Sequence, residues 1–542
     1  MTATVTPYRP PQQAGRDGFA QLLHAEWTKF RTLRGWVIAI VIAAALIAVV
    51  GVLLPRSQSH CGSPANPQSG AACLAHVPTG PGGEAVNDSY YLAAQPLADD
   101  GTITVRVTSL TGMISSVNGG FTGPSGAPPG AMSPGLVPWA KAGIIITGST
   151  RPGSAYAAMV ATGRHGVRMQ YDYTNDIAGL PGSVSAAVPR WLRLTRSGDV
   201  ITGYDSADGR HWTEVGAARL AGLAGTVRAG MFAASPLDFT PNFPTYGEPG
   251  GSVSASVATG TFDDVDLRGG APGGQWAGQH VGATGQNYDG PRIGFRQAGG
   301  QLTVTGSGDV GPVVAGAVNS SYNTGTLADH LFGVFIGLLI MVVIAAMFIT
   351  VEYRRGLIRT TLAASPRRGR LLAAKAVVIG LTTFVLGSAG VAVAAIAGGR
   401  IAHDSGVYVL ASSWPIKVQV ILGTGAMLAL AAVLALSIGT MLRRSVAAVA
   451  AVVVAIVLPY ILGVTGILPA SASEWVLRVT PAAAFAIEQS VPQYQQVAGH
   501  YGPPDYFPLA PWSGLAVLCA YAAVALGLAA WLLRRRDAGG AA

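Results

Sequence analysis

Charged side chains are scarce in this sequence. Asp, Glu, Lys and Arg make up 11% of its 542 residues, whereas a soluble domain typically carries about 25%. With half of the residues hydrophobic, that shortage argues against an ordinary soluble enzyme and for a membrane protein. Cysteine is rarer still, at three residues. No Cys-x-x-Cys spacing occurs, which removes the usual basis for a redox or zinc motif. No Gly-x-x-x-x-Gly-Lys-Ser/Thr segment is present, so nothing in the chain would cradle ATP phosphates. Beyond Lys375, counted with the basic loop 352–375, the long apolar runs also lack the interior Asp, Glu, Lys or His that proton or sodium coupling would need. The chain is therefore expected to bind no cofactor or metal, to contact no nucleic acid and not to be an enzyme.

What is present is a set of apolar runs, each close to the roughly 20 residues that cross a bilayer. They cover residues 36–54, 331–351, 371–397, 418–441, 446–468 and 513–533. The first begins after a polar leader (1–35) and lacks a small-residue cleavage site, so it is read as a membrane helix and not as a cleaved signal. Charge orients the set. Residues 55–330 carry 15 Lys and Arg against 18 Asp and Glu. Basic residues elsewhere gather in alternate segments: the leader, 352–375, Arg443-Arg444 and Arg534-Arg535-Arg536. By the excess of Lys and Arg in cytoplasmic loops, both termini, including the tail 536–542, face the cytoplasm and 55–330 lies outside. The expected location is the bacterial plasma membrane, in multi-pass form. Arg443-Arg444 and Arg534–536 are read as orientation signals.

Between residues 86 and 325 the texture changes. Short alternating runs such as Thr102-Ile-Thr-Val-Arg-Val-Thr108, Ala142-Gly-Ile-Ile-Ile-Thr147 and Trp191-Leu-Arg-Leu-Thr195 are punctuated by Gly, Pro and Ser. Alternation with period two predicts an all-β sandwich. Asp205-Ser-Ala-Asp-Gly-Arg-His-Trp212 reads as a hairpin, with Asp-Gly favouring a tight turn. Tyr171, Tyr173, Tyr204 and Trp212 form a candidate ligand face, while Trp191 is expected to be buried. In the preceding linker (55–85), Cys61 and Cys73 are a candidate disulfide; closing so short a loop would contribute ~3 kcal/mol. Cys519 reads as an apolar packing residue.

Segments of 86–268, namely Gln95-Pro-Leu-Ala-Asp-Asp-Gly-Thr-Ile-Thr-Val-Arg-Val-Thr108, Trp139-Ala-Lys-Ala-Gly-Ile-Ile-Ile146, Trp191-Leu-Arg-Leu-Thr-Arg-Ser-Gly-Asp199 and Thr261-Phe-Asp-Asp-Val265, are similar to the concanavalin-like, laminin-G-like sandwich of bacterial secreted proteins. The resemblance allows a cell-wall glycan as ligand. Here the strand Gly299-Gly-Gln-Leu-Thr-Val-Thr-Gly-Ser-Gly-Asp309 follows the domain, where the family places its counterpart first. A circular permutation accounts for this, because an insert between two membrane helices needs its ends close together.

Two cytoplasmic segments are candidate handles for a partner. The leader sets Phe19, Leu22, Leu23, Trp27 and Phe30 at helical spacing among Lys29, Arg31 and Arg34, the pattern of an amphipathic helix lying on the membrane surface and contacting its lipids. The loop 352–371 reads as a short helix, 356–364, stopped by Ser365-Pro366. Leu22-Leu-His-Ala-Glu-Trp-Thr-Lys-Phe-Arg-Thr-Leu-Arg34 and Glu352-Tyr-Arg-Arg-Gly-Leu-Ile-Arg-Thr-Thr-Leu362, followed by Ser365-Pro-Arg-Arg-Gly-Arg-Leu-Leu-Ala-Ala-Lys375, resemble the corresponding segments of type-2 ABC exporter permeases. The resemblance covers every membrane run (18–55 and 330–535). It implies six helices per subunit, a second permease subunit as homo- or heterodimer, and a separate ABC ATPase that uses ATP and Mg. It also implies a coupling helix in the loop, with Glu352, Tyr353, Arg354, Arg355, Arg359, Thr360, Arg367 and Arg368 as contacts, beside Glu26, Trp27, Lys29 and Arg31 of the leader. The family carries re-entrant outer helices where this chain has 469–512. Glu488 is there a candidate exit-gate residue or, the weightier reading, a solvated one. Glu352 is expected to pair with a neighbouring Arg. The alternative to a transporter is an envelope sensor whose sandwich binds a wall component.

Overall fold

The computed structural model describes residues 18–57, 77–115, 132–223, 225–242, 250–270, 274–282, 292–314, 324–358, 367–465, 467–497 and 506–535. Cys61, Cys73, Arg359, Thr360 and most of the expected loop helix lie outside them.

Among the described residues the chain forms an all-β domain and a bundle of six helices long and apolar enough to cross a membrane. A short helix, α1 (Phe19–Thr32), precedes the bundle. The bundle comprises α2 (Arg34–Ser57), α3 (Gly333–Arg354), α4 (Arg368–Asp404), α5 (Trp414–Leu442), α6 (Ser445–Val464) and, after the short α7 (Ala470–Val479), α8 (Pro511–Arg535). The observed helices coincide with the expected runs. The largest difference is α4, which runs on through a π-helical turn at Ala394–Gly398. Close approach of the helices depends on small residues. A Cβ added at Gly390 of α4 would lie 2.6 Å from the Ala44 carbonyl oxygen of α2, and one at Gly337 of α3 would lie 2.4 Å from Ile47. Such contacts replace the hydrophobic drive that lipid cannot supply. Cys519, read as a packing residue, is instead exposed on α8.

The β-domain is inserted between α2 and α3. Its main sheet runs in the order Thr213–Arg219, Val200–Ser206, Arg190–Ser197, Tyr90–Ser115, Val227–Ala234, Lys141–Thr147, Tyr156–Thr162, Val167–Tyr171 and Asn175–Ala178. Ser256–Gly270 pairs along Tyr90–Ser115, and Gln301–Gly306 pairs along Ser256–Gly270. The strand that follows the domain in sequence is thus hydrogen-bonded into it.

Alternation works as expected in Tyr90–Ser115: Ile103, Val105 and Val107 are fully buried, and Thr104 and Arg106 belong to the other face. Lys141–Thr147 departs from that pattern and is buried on both faces. Ala142, Ile144 and Ile146 enter the main core. Ile145 joins a second cluster closed by Val86, Val281 and Val310. Lys141 is also buried, and its ammonium donates to Asp309 Oδ1 (3.0 Å), Val310 O (3.1 Å) and Gln170 Oε1 (3.3 Å). Burying a lysine is tolerable only with such complete pairing.

The Asp205–Trp212 segment connects two antiparallel strands, but through a loop spanning 207–212 and not a tight turn. Gly209 has φ of +74° and lies under the Trp191 ring, which a Cβ would meet at 2.6 Å.

Candidate functional site

Four charged side chains close into a ring at the bundle end away from the β-domain. Glu26 comes from α1, where it shares the inward face with Phe30, four residues on. Lys29 follows one turn later and remains partly exposed. Glu352 lies in the last turn of α3, and Lys375 in the second turn of α4. Lys375 Nζ donates to Glu26 Oε2 (2.6 Å) and Glu352 Oε1 (2.7 Å). Lys29 Nζ donates to Glu26 Oε1 (3.0 Å) and Glu352 Oε1 (3.1 Å). Each lysine therefore bridges both carboxylates, and three segments far apart in sequence are held at one point.

Glu26 and Lys375 are almost completely buried. For Lys29, burial works against the charged form, but Glu26 and Glu352 outweigh it and hold the ammonium above its usual range. The two positive and two negative charges balance, which is the condition under which such groups tolerate a low-dielectric site. Aromatic rings cover the ring of charges. Lys375 Nζ lies 4.6 Å from the centre of the Phe348 ring. Phe348 in turn meets Phe30 and Trp36 edge-on at 5.8 and 5.0 Å.

The chain leaves this ring toward the loop by a defined route. Arg355 caps α3, and Gly356 takes φ of +69°, a left-handed conformation that glycine adopts without steric cost. Helix resumes at Leu357 and Ile358, with Ile358 buried. Arg354 and Arg355 are exposed, while Tyr353 lies under the Arg443 guanidinium, 5.2 Å from the ring centre. Trp27 and Arg31 face outward from α1. Arg367 is exposed, and Arg368 donates to the Leu533 carbonyl at the end of α8 (2.8 Å).

The structure brings together Glu26, Lys29 and Glu352 of the expected contact residues and adds Lys375. Glu352 pairs with lysines and not with the expected arginine. The reason is geometric: Arg354 and Arg355 continue past it to the helix end, whereas Lys375 faces it across the α3–α4 contact. The apolar setting of Lys375, in Leu371-Leu-Ala-Ala-Lys-Ala-Val377, was the available signal.

At the opposite end, Glu488 is buried and not solvated. It ends a short 3-10 helix, Pro481–Glu488, in which every residue is buried. Phe485 stacks against Phe335 of α3 and meets Tyr460 of α6 at a tilt, and Ile487 fills the space left by Gly423 of α5. This packing carries Glu488 inward, where its Oε1 has no hydrogen-bond partner among the described residues.

The expected ligand face of the β-domain is divided. Tyr173 is buried, with its hydroxyl donating to Asp88 Oδ2 (2.8 Å), and Tyr171 packs against the main core. Tyr204 and Trp212 are half-exposed, as is Trp191, which was expected inside. Leu192 and Leu194 take the inward positions of that strand, so Trp191 and Arg193 necessarily point the other way. Arg106 lies over Trp191 at 5.6 Å, and Arg193 over Trp212 at 3.8 Å.

Residues 205–538 match the family described as "ABC-2 family transporter protein". That range is well over half of the chain and takes in α3 to α8. No curated protein matches the chain. Solved structures resemble it only weakly. A functionally unknown protein from Saccharomyces cerevisiae is 15% identical, with 32% of this chain and 71% of that one covered and a TM-score of 0.19. Scytalido-glutamic peptidase, solved with a transition state analog inhibitor, is 10% identical, with 42% and 100% covered and a TM-score of 0.23. Likenesses this low carry no argument about fold or activity.

Proposed function

This chain belongs to the ABC-2 family of transporter proteins, and from that premise we propose that it is the permease subunit of an exporter driven by a separate ABC ATPase. The chain itself does no catalysis; ATP and Mg are used by the partner. Two permease subunits frame the pathway, with the ring of charges on the cytoplasmic side and the β-domain outside. The outer domain is a concanavalin-like sandwich with permuted strand order.

The observation that carries this reading is the ring Lys29–Glu26–Lys375–Glu352. It joins the surface helix α1 to the ends of α3 and α4 on both sides of the basic loop. A push delivered to that loop moves a connected body and not a flexible strap. Close contacts at Gly337 and Gly390 extend the same body to α2. ATP binding, by drawing two ATPase subunits together, would then rock α1–α4 against α5–α8 and switch access from one side to the other. Arg354 and Arg355, exposed at the mouth of the loop, present positive charge to the partner's surface.

The test is charge reversal in the intact complex. Arg355→Glu with Arg359→Glu should abolish stimulation of the partner's ATPase while leaving membrane insertion unchanged. Normal stimulation in that variant overturns the assignment. A second reading, an envelope sensor that binds a wall glycan, is favoured by the half-exposed face of Trp191, Tyr204 and Trp212 with its stacked arginines. The absence of any co-purifying ATPase would favour the sensor.

A further inference from the structure

A cavity of about 460 Å³ opens where the start of α4 meets the end of α8. It is lined by Arg367, Arg368, Gly369, Arg370 and Arg534. Four arginines, one just ahead of α4, two in its first turn and one near the end of α8, thus line one space, and among the described residues no carboxylate does. As signals of orientation they would gain nothing from converging, because mutual repulsion favours spreading apart. Two contacts hold them together. Arg368 is anchored by the Leu533 carbonyl, and the missing side chain at Gly369 lets Arg534 lie against α4, where a Cβ would stand 3.1 Å from Nη2. No acidic residue in the first turn of α4 offsets the charge.

The surroundings identify what balances it. Trp531 lies one turn before Arg534, is 47% exposed, and has Arg535 stacked on it at 4.2 Å. An exposed Trp at the end of a membrane helix marks the depth of lipid headgroups. Val524, Leu528 and Trp531 are exposed along one stripe of α8, and Val377 and Leu381 along α4. The cavity therefore opens at headgroup depth, with lipid-facing apolar surface on both helices leading away from it.

We propose that Arg367, Arg368, Arg370 and Arg534 form a binding site for the phosphate of an anionic phospholipid whose acyl chains lie along α4 and α8. Guanidinium forks match phosphate oxygens in paired hydrogen bonds, and basic pockets between membrane helices favour anionic headgroups over neutral ones. The site does not depend on which side of the membrane the ring of charges faces, nor on the transport reading above.

Native mass spectrometry of the purified full chain tests this, with cardiolipin, phosphatidylglycerol, phosphatidylcholine and inorganic phosphate as probes. The expected result is retention of the two anionic lipids over phosphatidylcholine. Retention should fall about a hundredfold in the Arg367→Gln, Arg370→Gln, Arg534→Gln variant. The variant Arg354→Gln, Arg355→Gln, Arg444→Gln, equal in lost charge but away from the cavity, should retain lipid as the unmodified chain does. Equal loss in both variants would reduce the arginines to general surface charge and overturn the proposal. So would inorganic phosphate binding as well as the lipids. Undiminished lipid retention in the first variant, with loss of a co-purifying ATPase, would assign the cavity to a protein partner instead.

Discussion

Replacing Lys375 by Met is the sharpest test of the ring of charges. The substitution keeps a flexible apolar stem of nearly the same length and removes the ammonium. At an effective dielectric constant of about 20, each Lys375–carboxylate contact, at 2.6 and 2.7 Å, corresponds to roughly 6 kcal/mol of attraction. Most of that is offset by the cost of taking the ions out of water. The net penalty for removing one partner of a buried pair is about 3–5 kcal/mol. Here it should fall near the upper end. Glu26 and Glu352 would be left sharing only Lys29, whose side chain is 42% exposed and so better screened.

A compensating change separates charge from packing. Glu26→Gln with Lys375→Met leaves Glu352 paired with Lys29 and the cluster neutral again. Its cost should fall well below the sum of the two single changes, by about 2 kcal/mol or more. The assay is equilibrium unfolding of the purified full chain in detergent, with ATPase stimulation in the complex as a second readout. A Lys375→Met chain within about 0.5 kcal/mol of the original would place it with ordinary surface substitutions and refute the argument. Additivity of the two changes would refute it equally.

Asp88 supplies a pH-dependent prediction for the β-domain. Burial, opposed by hydrogen bonds from Tyr173 and Gly153, pushes its carboxyl up to about 6. The folded domain keeps this proton where an unfolded chain has released it. Stability therefore falls as pH rises from about 4 through 6, by roughly 3 kcal/mol in all. Thermal melts of the full chain should show that slope, and Asp88→Asn should flatten it; a slope unchanged by the substitution refutes the assignment. In the bundle, Gly390→Val would drive methyl groups into the Ala44 backbone of α2, closer than the 2.6 Å that a Cβ alone would reach. Loss of folded protein on size-exclusion chromatography is expected, with Gly399→Val, whose Cβ meets nothing within 4 Å, as the tolerated control.

The elements legible in the sequence are those set by local pattern. Apolar runs of membrane length located all six helices, because span length depends on composition alone. Period-two alternation located the strands for the same reason. Pairings across the fold were not legible. Glu26 and Lys375 are separated by 349 positions, and no local rule joins them. The error over Glu488 has a related cause. A lone carboxylate after Ala482-Ala-Ala-Phe-Ala-Ile487 reads as a helix end, and its burial comes from packing against α3, α5 and α6. Trp191 was misplaced by residue type, since size and apolarity suggested an inward position. Alternation with Leu192 and Leu194, both fully buried, was the better guide. Tyr173 failed in the opposite sense, because its φ of +59° turns it out of the strand pattern and into the second core.

The β-domain is also held to the helices by more than its two connections. Thr324–Gly325, leading into α3, pairs in parallel with Tyr408–Val409, which follows α4. Ala85 and Val313 of the domain share a small core with Leu410, Val491 and Tyr506 from the connections after α4 and α7. Gln496 donates to the Tyr173 carbonyl (3.2 Å). Helices α3 and α4 are thus fastened twice, by Glu352–Lys375 at one end and by backbone pairing at the other. Between those fastenings the one interruption of regular α-helix in α4 is the π turn at Ala394–Gly398. Such turns carry a locally altered hydrogen-bond pattern and recur at functional positions in helices. Here the turn packs against α2 so closely that a Cβ at Gly398 would lie 2.6 Å from the Gly51 carbonyl oxygen. On the proposed mechanism, displacement entering α4 at Lys375 and running along that helix passes this turn, with α2 pressed against it, on its way toward the β-domain.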